Sequence, residues 1–265
     1  MSSSAAGGRG LLTTLLLHGF TGSSHSWGPI VVDGLASAVG APVLVDLPGH
    51  GRHAGDVGPW RFTFEAVEAG IDALARGEPA DLVGYSMGGR LALAYAVRNP
   101  RRVRRLVLES ASPGLETEEE RAARRAHDED LANFLQTEGI EAFVERWEAL
   151  ELFESQRSLP PAVRASHRAR RLLNHPRSLA ACLRGLGTGV LPSYWGSLER
   201  LRVPVLILVG ALDRKFATFG ARMAALLPDA RVVEIAGAGH AIHLERPDAW
   251  LEAVTAFLCG GEGSA

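Results

Sequence analysis

The stretch Val83–Arg90 constrains the fold more than any other, because it contains the pattern Gly-x-Ser-x-Gly with Ser86 at its centre. An apolar run precedes it, and a second apolar run, Leu91–Ala96, follows it. This order predicts a strand, a sharp turn that exposes the serine, and a helix. Glycine is needed at Gly84 and Gly88 because a side chain there would collide with the turn. A serine between glycines can be an ordinary turn residue, but the context favours a nucleophile elbow.

Length and composition bound the possible functions. The 265 residues suffice for one large α/β domain with a lid or for two small domains, and 46% of them are hydrophobic. A formal net charge of −2 supplies no general positive field for nucleic acid or anionic membranes, so we expect neither as a partner. Cys182 and Cys259 lie far apart without metal-ligand spacing. This favours reduced thiols and no metal site.

The two ends of the chain are small and polar. We expect residues 1–10 and 260–265 to be disordered. The run Leu11–Leu17 is similar to the core of a signal peptide, but no small-residue cleavage site follows it. No stretch reaches the roughly 18 apolar residues of a membrane span. We therefore expect a cytoplasmic protein.

Short apolar runs bounded by Gly, Pro or Asp recur and predict strands at Leu11–Leu17, Pro42–Val45, Asp81–Tyr85, Val103–Leu108, Val203–Val209 and Arg231–Ile235. Helical patterns alternate with several of them, at Ala66–Ala75, Leu91–Val97, Ala217–Leu227 and Pro247–Leu258. The alternation predicts a mostly parallel central sheet with helices on both faces. In such sheets the functional loops follow the carboxyl ends of the strands.

One region breaks this alternation. Residues 116–195 contain no convincing strand, only Arg-, Glu- and Ala-rich helical sequence interrupted by prolines. We interpret them as a helical lid inserted into a core of residues 11–115 and 196–259. Charge runs within the insertion, such as Glu116–Glu120, are typical of solvated helix faces.

A serine hydroxyl becomes a useful base or nucleophile only beside an imidazole that a carboxylate orients. The chain supplies Ser86, Asp213 and His240 in that order, each just after an apolar run. This is the chain order of α/β-hydrolases. We interpret His243 as a pocket or surface residue, and His50 as part of a turn.

An oxyanion hole is expected from the backbone N–H groups of Met87, after the elbow, and Phe20, after the first strand. Each such donor stabilises developing charge by about 3 kcal/mol. Together with the catalytic residues, these positions predict an α/β-hydrolase fold. The fold hosts esterases, thioesterases and lyases alike, so the site must decide the reaction.

Arginines narrow the class of substrate. Arg90 lies on the first turn of the elbow helix, where its charge is costly unless an anion pairs with it. Arg124 and Arg171 in the insertion could converge on the same pocket and bind a substrate with several carboxylates. They could equally be two of the many exposed arginines of the insertion.

With these residues in place, the sequence resembles the MenH family, the 2-succinyl-6-hydroxy-2,4-cyclohexadiene-1-carboxylate synthases. The resemblance runs from the first strand to His240. Its matching stretches are Leu17–Gly22 with Trp27, Val45–Gly51, Gly84–Arg90, Glu109–Leu115, Glu120–Arg124, Phe143 to Trp147, Pro192–Trp195 and Gly210–Phe216. The elbow ending in Arg90 and the Ser-Pro-Gly-Leu stretch leading into Glu-Arg-x-x-Arg discriminate best.

The resemblance implies a lyase of menaquinone biosynthesis. It would eliminate pyruvate from 5-enolpyruvoyl-6-hydroxy-2-succinylcyclohex-3-ene-1-carboxylate without a cofactor or an acyl-enzyme, using Ser86 as base. The substrate is a small tricarboxylate. By resemblance its binding residues are Arg90, Arg124, Arg171, Tyr85 and Trp147. Arg168 and Arg170 are alternatives to Arg171, since the insertion is the hardest region to align.

Two other functions stay open on the sequence alone. A carboxylesterase or thioesterase would use Ser86 as a nucleophile on an anionic ester, since the three catalytic residues cannot distinguish base from nucleophile. A non-catalytic receptor of the same fold would normally lack one of them, and all are present. We expect a monomer or a weak homo-oligomer.

Overall fold

A six-stranded sheet forms the centre of the computed structural model, which describes residues 13–260. The strands are β1 Thr14–Leu17, β2 Val43–Val45, β3 Ala80–Tyr85, β4 Val103–Glu109, β5 Val205–Gly210 and β6 Ala230–Ile235. Their order is β2-β1-β3-β4-β5-β6, and every neighbouring pair is parallel. The predicted parallel sheet is confirmed, with strand ends shifted by a few residues. The expected disorder of residues 1–10 and 260–265 lies outside the described residues, apart from Gly260, which caps the last helix.

Nine α-helices accompany the sheet in the described part of the chain. They are α1 Gly28–Val39, α2 Phe64–Leu74, α3 Met87–Arg98, α4 Glu118–Glu148, α5 Pro161–Leu172, α6 Pro176–Leu186, α7 Arg214–Leu226, α8 Ile242–Glu245 and α9 Pro247–Cys259. None of the helices within residues 13–260 combines the length and the hydropathy needed to cross a bilayer.

Helices cover both faces of the sheet because its buried strands are apolar on both sides. In β1, Leu15 and Leu17 join one buried cluster with residues of α2, α3 and α7. Leu16 points the other way and joins a second cluster with residues of α1 and α9. This alternation is the period of two that a strand imposes on its side chains. The prediction of helices on both faces is therefore confirmed.

The segment between β4 and β5 is helical, as its sequence predicts. Thr117 and Glu120 form a reciprocal capping box that starts α4, and Gly139, with φ 82°, kinks the helix. A separate cluster of buried side chains joins α4 to α6, including Leu135, Phe143 and Leu179. The boundaries 116–195 and the role of this insertion as a lid stay predictions.

The parallel order brings the functional loops to one edge. The loops after β1, β3, β5 and β6 carry Phe20, Ser86, Asp213 and His240. Carboxyl ends of parallel strands meet at the same edge of a sheet. Residues that are far apart in sequence can therefore share one site there.

Candidate active site

Ser86 sits in a strained turn between β3 and α3. Its φ of 50° and ψ of −109° fall in a region that costs an L-residue about 1–3 kcal/mol. The Ser86 N–H donates to the Glu109 carbonyl at 2.8 Å, which ties the turn to β4. A Cβ on Gly84 would lie 2.5 Å from the Gly89 Cα, and one on Gly88 would collide with the Leu17 carbonyl. The glycines of the motif are thus required by the turn.

Three side chains form a hydrogen-bonded chain at this edge. The His240 ring donates from Nδ1 to Asp213 Oδ2 at 2.7 Å, and its Nε2 lies 2.9 Å from Ser86 Oγ. Asp213 also accepts the Phe216 N–H at 3.2 Å through its other oxygen, which caps α7. These hydrogen bonds orient the His240 ring between Asp213 and Ser86. The geometry fits a serine whose proton passes to the imidazole.

Aromatic rings enclose the histidine. The His240 ring centroid lies 4.6 Å from that of Phe216, 5.4 Å from that of Tyr85 and 6.1 Å from that of Phe153. His240 itself is 1% exposed. Exclusion of water strengthens the electrostatic interactions of the Ser86–His240–Asp213 chain.

The backbone N–H groups of Phe20 and Met87 are free to bind an oxyanion. Neither donates a hydrogen bond to another group within residues 13–260. Both residues line the same cavity as Ser86. Their assignment as an oxyanion hole stays a prediction, and this geometry is consistent with it.

Two buried histidines support the loop that carries Phe20. His18 Nε2 accepts the Leu47 N–H at 3.1 Å, and His50 Nε2 accepts the Thr21 N–H at 3.2 Å. Burial lowers the pKa of His18 to about 4 and that of His50 to about 3, so both rings are neutral at pH 7. A neutral ring keeps the lone pair that accepts these bonds. No local sequence pattern indicates this supporting role, because each bond joins two different loops.

A cavity of about 880 Å³ opens over Ser86, and we call it the catalytic cavity. The residues that line it include Phe20, Tyr85, Ser86, Met87, Arg90, Arg124, Trp147, Phe153, Asp213 and His240. The Trp147 Nε1 donor is buried and has no hydrogen-bond partner within the described residues. Of the ten predicted site residues, nine line the cavity.

Arg90 carries a buried charge that no carboxylate neutralises. It is 6% exposed, and its Nη2 donates to the Leu186 carbonyl at 2.9 Å while Nη1 has no partner among the described residues. Burial and the nearby Arg124 lower the pKa of Arg90 to about 10, which leaves it charged at pH 7. Arg124 is held in place by Asp128, 2.8 Å from its Nε. The cavity thus presents uncompensated positive charge close to Ser86.

Comparison with known proteins agrees with this geometry. Residues 14–253 match the model of the alpha/beta hydrolase family. A Bacillus subtilis (strain 168) protein, provisionally named 2-succinyl-6-hydroxy-2,4-cyclohexadiene-1-carboxylate synthase, is 38% identical over 91% of this chain and 88% of its own length. The Pectobacterium atrosepticum synthase of that name is 33% identical over 91% of this chain and 92% of its own.

A solved structure leads to the same family. The structure of MenH from Staphylococcus aureus superposes with a TM-score of 0.87 at 34% identity, covering 95% of both chains. The chain belongs to the MenH family of α/β hydrolases. The resemblance noted in the sequence is therefore confirmed.

One residue assigned through MenH resemblance lies elsewhere. Arg171 does not line the catalytic cavity but a smaller neighbouring one, and the Phe153 ring, which lines both, stands between them. The Arg171 guanidinium packs over that ring at 5.0 Å, and its Nη1 lies 2.9 Å from Glu148 Oε1. The structure therefore brings Arg90 and Arg124 to the catalytic cavity but not Arg171, and the role of Arg171 in substrate binding stays a prediction. The Glu148 carboxylate, at the end of α4, holds the Arg171 guanidinium outside the catalytic cavity. No sequence pattern predicts this contact between α4 and α5.

The alternatives to Arg171 do not replace it in this MenH-family cavity. Arg168 also contacts Glu148, at 2.6 Å, and lines the smaller cavity. Arg170 lines neither cavity.

Two further cations line the catalytic cavity, Arg214 and Lys215. Neither makes an ion pair within residues 13–260, and the Lys215 Nζ lies 5.9 Å from the Phe216 ring centroid. They are the first two residues of α7 and directly follow Asp213, a position that could have indicated them. Glu151 and Glu154 line the same cavity from the insertion.

His243 is neither a pocket residue nor a surface residue, so that interpretation was wrong. It is 4% exposed and lies behind Tyr85, with ring centroids 4.7 Å apart. Its Nδ1 donates to Glu109 Oε1 at 2.8 Å, and Trp250 Nε1 donates to the other Glu109 oxygen at 2.8 Å. The buried Glu109 carboxylate thus links β4, α9 and the back of the cavity wall in this MenH-family fold.

The cysteines give this member of the MenH family no second nucleophile beside Ser86. Burial raises the pKa of the Cys182 thiol to about 12, so it is protonated although it lines the cavity. Cys259 is exposed and lies in α9. Within residues 13–260 no three His, Cys, Asp or Glu side chains are grouped to hold a metal ion.

Proposed function

We propose that this chain forms 2-succinyl-6-hydroxy-2,4-cyclohexadiene-1-carboxylate by eliminating pyruvate from 5-enolpyruvoyl-6-hydroxy-2-succinylcyclohex-3-ene-1-carboxylate. The synthase names of its MenH-family relatives support the reaction. The observation that carries it is that Arg90 and Arg124 line the same cavity as the hydrogen-bonded Ser86–His240 pair. An anionic substrate would neutralise the charge that this cavity leaves uncompensated.

The elimination needs a base, an oxyanion site and a proton donor. As His240 takes the Ser86 proton, the serine oxygen removes a proton from the ring carbon beside the succinyl ketone. The electrons of that C–H bond form an enolate, whose oxygen the Phe20 and Met87 N–H groups would stabilise. The enolate electrons then re-form the ketone, the ring double bond shifts and the ring C–O bond breaks, which expels enolpyruvate. The proton that His240 took from Ser86 passes to the methylene carbon of enolpyruvate, which gives pyruvate and returns His240 to its neutral state. No water is consumed and no electrons are lost.

The proposed substrate has three carboxylates, and the cavity offers cations on more than one side. Arg90 and Arg124 are assigned to two of them, since their guanidinium groups bind carboxylates bidentately. We assign the third to the side that carries Arg214 and Lys215, because Arg171 is bound to Glu148 behind Phe153. Tyr85 lines the wall next to the reacting carbons, and the unpartnered Nε1 of Trp147 supplies a further hydrogen-bond donor.

Pyruvate release tests the proposal. Freshly made substrate is mixed with the protein, and pyruvate is followed against the slow spontaneous background, with a p-nitrophenyl ester run in parallel. We expect fast release that Ser86→Ala lowers by a factor of about 10³ or more. Ser112→Ala is the matched control, since Ser112 lines the same cavity outside the triad. It should retain most of the activity.

The second candidate is an esterase or thioesterase reaction on an anionic acyl substrate. The 2.9 Å contact between Ser86 and His240 suits a nucleophile as well as a base. Fast ester cleavage and an acyl-enzyme adduct on Ser86, with pyruvate release at background, would replace the lyase by this reaction. The cytoplasmic location and the monomeric or weakly oligomeric state stay predictions.

A further inference from the structure

The turn Gly19–Gly22 carries the Phe20 N–H that the proposed function assigns to the oxyanion hole, and we call it the oxyanion turn. The Gly22 N–H donates to the Gly19 carbonyl at 3.0 Å, which closes the turn. Thr21, its third residue, has a φ of 67°. A positive φ at this turn position favours glycine or asparagine, and a β-branched residue is strained there. Contacts with other parts of the chain must therefore hold the turn in this conformation.

Two side chains bind both backbone groups of Thr21. His50 Nε2 accepts the Thr21 N–H at 3.2 Å, and Asn174 Nδ2 donates to the Thr21 carbonyl at 2.9 Å. Thr21, His50 and Asn174 are all buried, and hydrogen bonds are stronger where water is excluded. The strained residue next to Phe20 is thus fixed at its N–H and at its carbonyl.

Asn174 belongs to the helical insertion, in the connection between α5 and α6. Its Nδ2 also donates to the Arg171 carbonyl at 3.0 Å, which fixes the amide group to the end of α5. An amide nitrogen has two hydrogens, so both are used. Asn174 lines neither cavity. It therefore joins the insertion to the oxyanion turn without lining the cavity in which the substrate would bind.

The Phe20 ring gives the same turn a second contact with the insertion. Its centroid lies 5.4 Å from that of Trp147 and 6.3 Å from that of Phe143, both on α4. These contacts locate the side chain, whereas the Asn174 bond fixes a backbone group. Apolar packing is not directional and a hydrogen bond is, so the hydrogen bond sets the backbone direction more strictly.

We propose that Asn174 is a positioning residue of the active site, whose amide holds Thr21 in the conformation that directs the Phe20 N–H to the oxyanion. This role rests on the oxyanion hole of the proposed function. The enolate of the elimination and the tetrahedral intermediate of ester hydrolysis both carry negative charge on a former carbonyl oxygen, so either reaction needs the donor. Without the Asn174 bond the turn relaxes and the Phe20 N–H moves away from that oxygen. Stabilisation of the transition state then falls, while the arginines still bind the substrate.

Asn174→Leu tests the role, since leucine is close to asparagine in size but donates no hydrogen bond. We expect kcat for pyruvate release to fall about tenfold, a part of the roughly 10²- to 10³-fold that loss of an oxyanion donor costs. KM should stay within about twofold, because Arg90 and Arg124 are unchanged. If the wild-type chain cleaves the p-nitrophenyl ester and releases no pyruvate, the proposed function fails. The same kcat and KM comparison on the ester then still tests Asn174.

Ser178→Ala is the matched control. Ser178 also joins the insertion to the core, because its Oγ accepts the Gly55 N–H at 2.9 Å, and it lines neither cavity. Its removal should leave kcat unchanged. Urea unfolding checks that both variants are folded under the assay conditions. If Asn174→Leu does not fold, Asn174→Ala removes the same donor without adding an apolar side chain.

Hydrogen exchange of the Thr21 amide, followed by NMR, gives a second readout that needs no substrate. Exchange should be about tenfold faster in Asn174→Leu than in the wild-type chain, since the turn loses one of its two holding bonds. It should be unchanged in Ser178→Ala. Unchanged exchange in Asn174→Leu would overturn the role whether or not the chain turns over either substrate. An unchanged kcat, or a rise in KM at constant kcat, would likewise show that Asn174 does not position the oxyanion turn.

Discussion

Two arginines that line different cavities are buried to nearly the same extent, but only one of them has a carboxylate partner. Arg90 in the catalytic cavity is 6% exposed and its side chain bonds only to a backbone carbonyl, whereas Arg171, which lines the smaller neighbouring cavity, is 5% exposed and contacts the Glu148 carboxylate. A buried charge without a counter-ion is unfavourable until an anion arrives, and one with a counter-ion is already satisfied. Residue type and burial therefore do not identify a substrate-binding arginine, but its partners do.

Among the changes that test this comparison, the largest expected effect is on Arg90. Arg90→Gln should lower kcat/KM for pyruvate release by a factor of about 10², because it removes charge-assisted hydrogen bonds to a substrate carboxylate. Steady-state kinetics measure the change. Arg98→Gln, at the exposed end of the same helix, is the control and should change kcat/KM little. Unchanged kinetics for Arg90→Gln would remove the electrostatic part of the proposed function.

Removal of Glu148 tests the other side of the comparison. Glu148→Gln leaves the buried Arg171 without its counter-ion, and we expect the free energy of unfolding to fall by about 2 kcal/mol. The loss should be smaller than that of a fully buried pair, since the Glu148 side chain is 27% exposed. Urea unfolding measures it. Glu145→Gln, on the exposed side of the same helix, should have almost no effect. Equal stabilities of the two variants would show that Arg171 needs no counter-ion.

Acid should act on the catalytic cavity through His18 and His50. Their folded pKa values, about 4 and about 3, lie below the 6.5 of the unfolded chain. The unfolded state therefore binds more protons between these values, and stability falls as the pH falls below 6.5. Each histidine adds about 1.4 kcal/mol per pH unit to that loss.

His50→Gln should flatten the dependence by about 1.4 kcal/mol per pH unit between pH 5.5 and 4.5, since glutamine still accepts the Thr21 N–H but does not titrate. Urea unfolding over that range measures the slope. The exposed His25, replaced by Gln, provides the comparison and should leave the slope as it is in the wild type. Equal slopes for His50→Gln and His25→Gln would mean that burial does not lower the pKa of His50.

The smallest expected effect is on Arg171. Arg171→Gln should change kcat/KM less than about tenfold, because Arg171 lines the smaller neighbouring cavity and not the catalytic one. Arg170→Gln, which alters a residue lining neither cavity, is the control. A loss as large as that of Arg90→Gln would instead mean that Phe153 moves aside and joins the two cavities. That result would restore the substrate-binding role that the family resemblance assigns to Arg171.

Much of the core could be predicted from the sequence. The apolar runs located all six strands, because buried strands of a parallel sheet are apolar on both faces. The glycines at positions 84 and 88 indicated the elbow, since only glycine fits so close to neighbouring backbone. The chain order of Ser86, Asp213 and His240 identified the catalytic group for the same local reason. Each of these three residues lies just after the carboxyl end of a different strand.

Other features could not be predicted because they depend on contacts between distant segments. Helix α1 was missed, although its buried Val31 and Leu35 have helical spacing. His243 was misplaced because its partner Glu109 comes from a strand 134 residues away in sequence. His18 and His50 were not identified as supports, since their acceptors and donors lie on different loops.

The sequence by itself determined the parallel sheet, the elbow and the three candidate catalytic residues, because each is encoded by a local pattern of apolar and small residues. Only the tertiary structure decided which arginines line the catalytic cavity. The packing of α4 against α5 brings Glu148 to Arg168 and Arg171, and the Phe153 ring closes the wall between the cavities. The state of a buried charge depends on the groups around it in space.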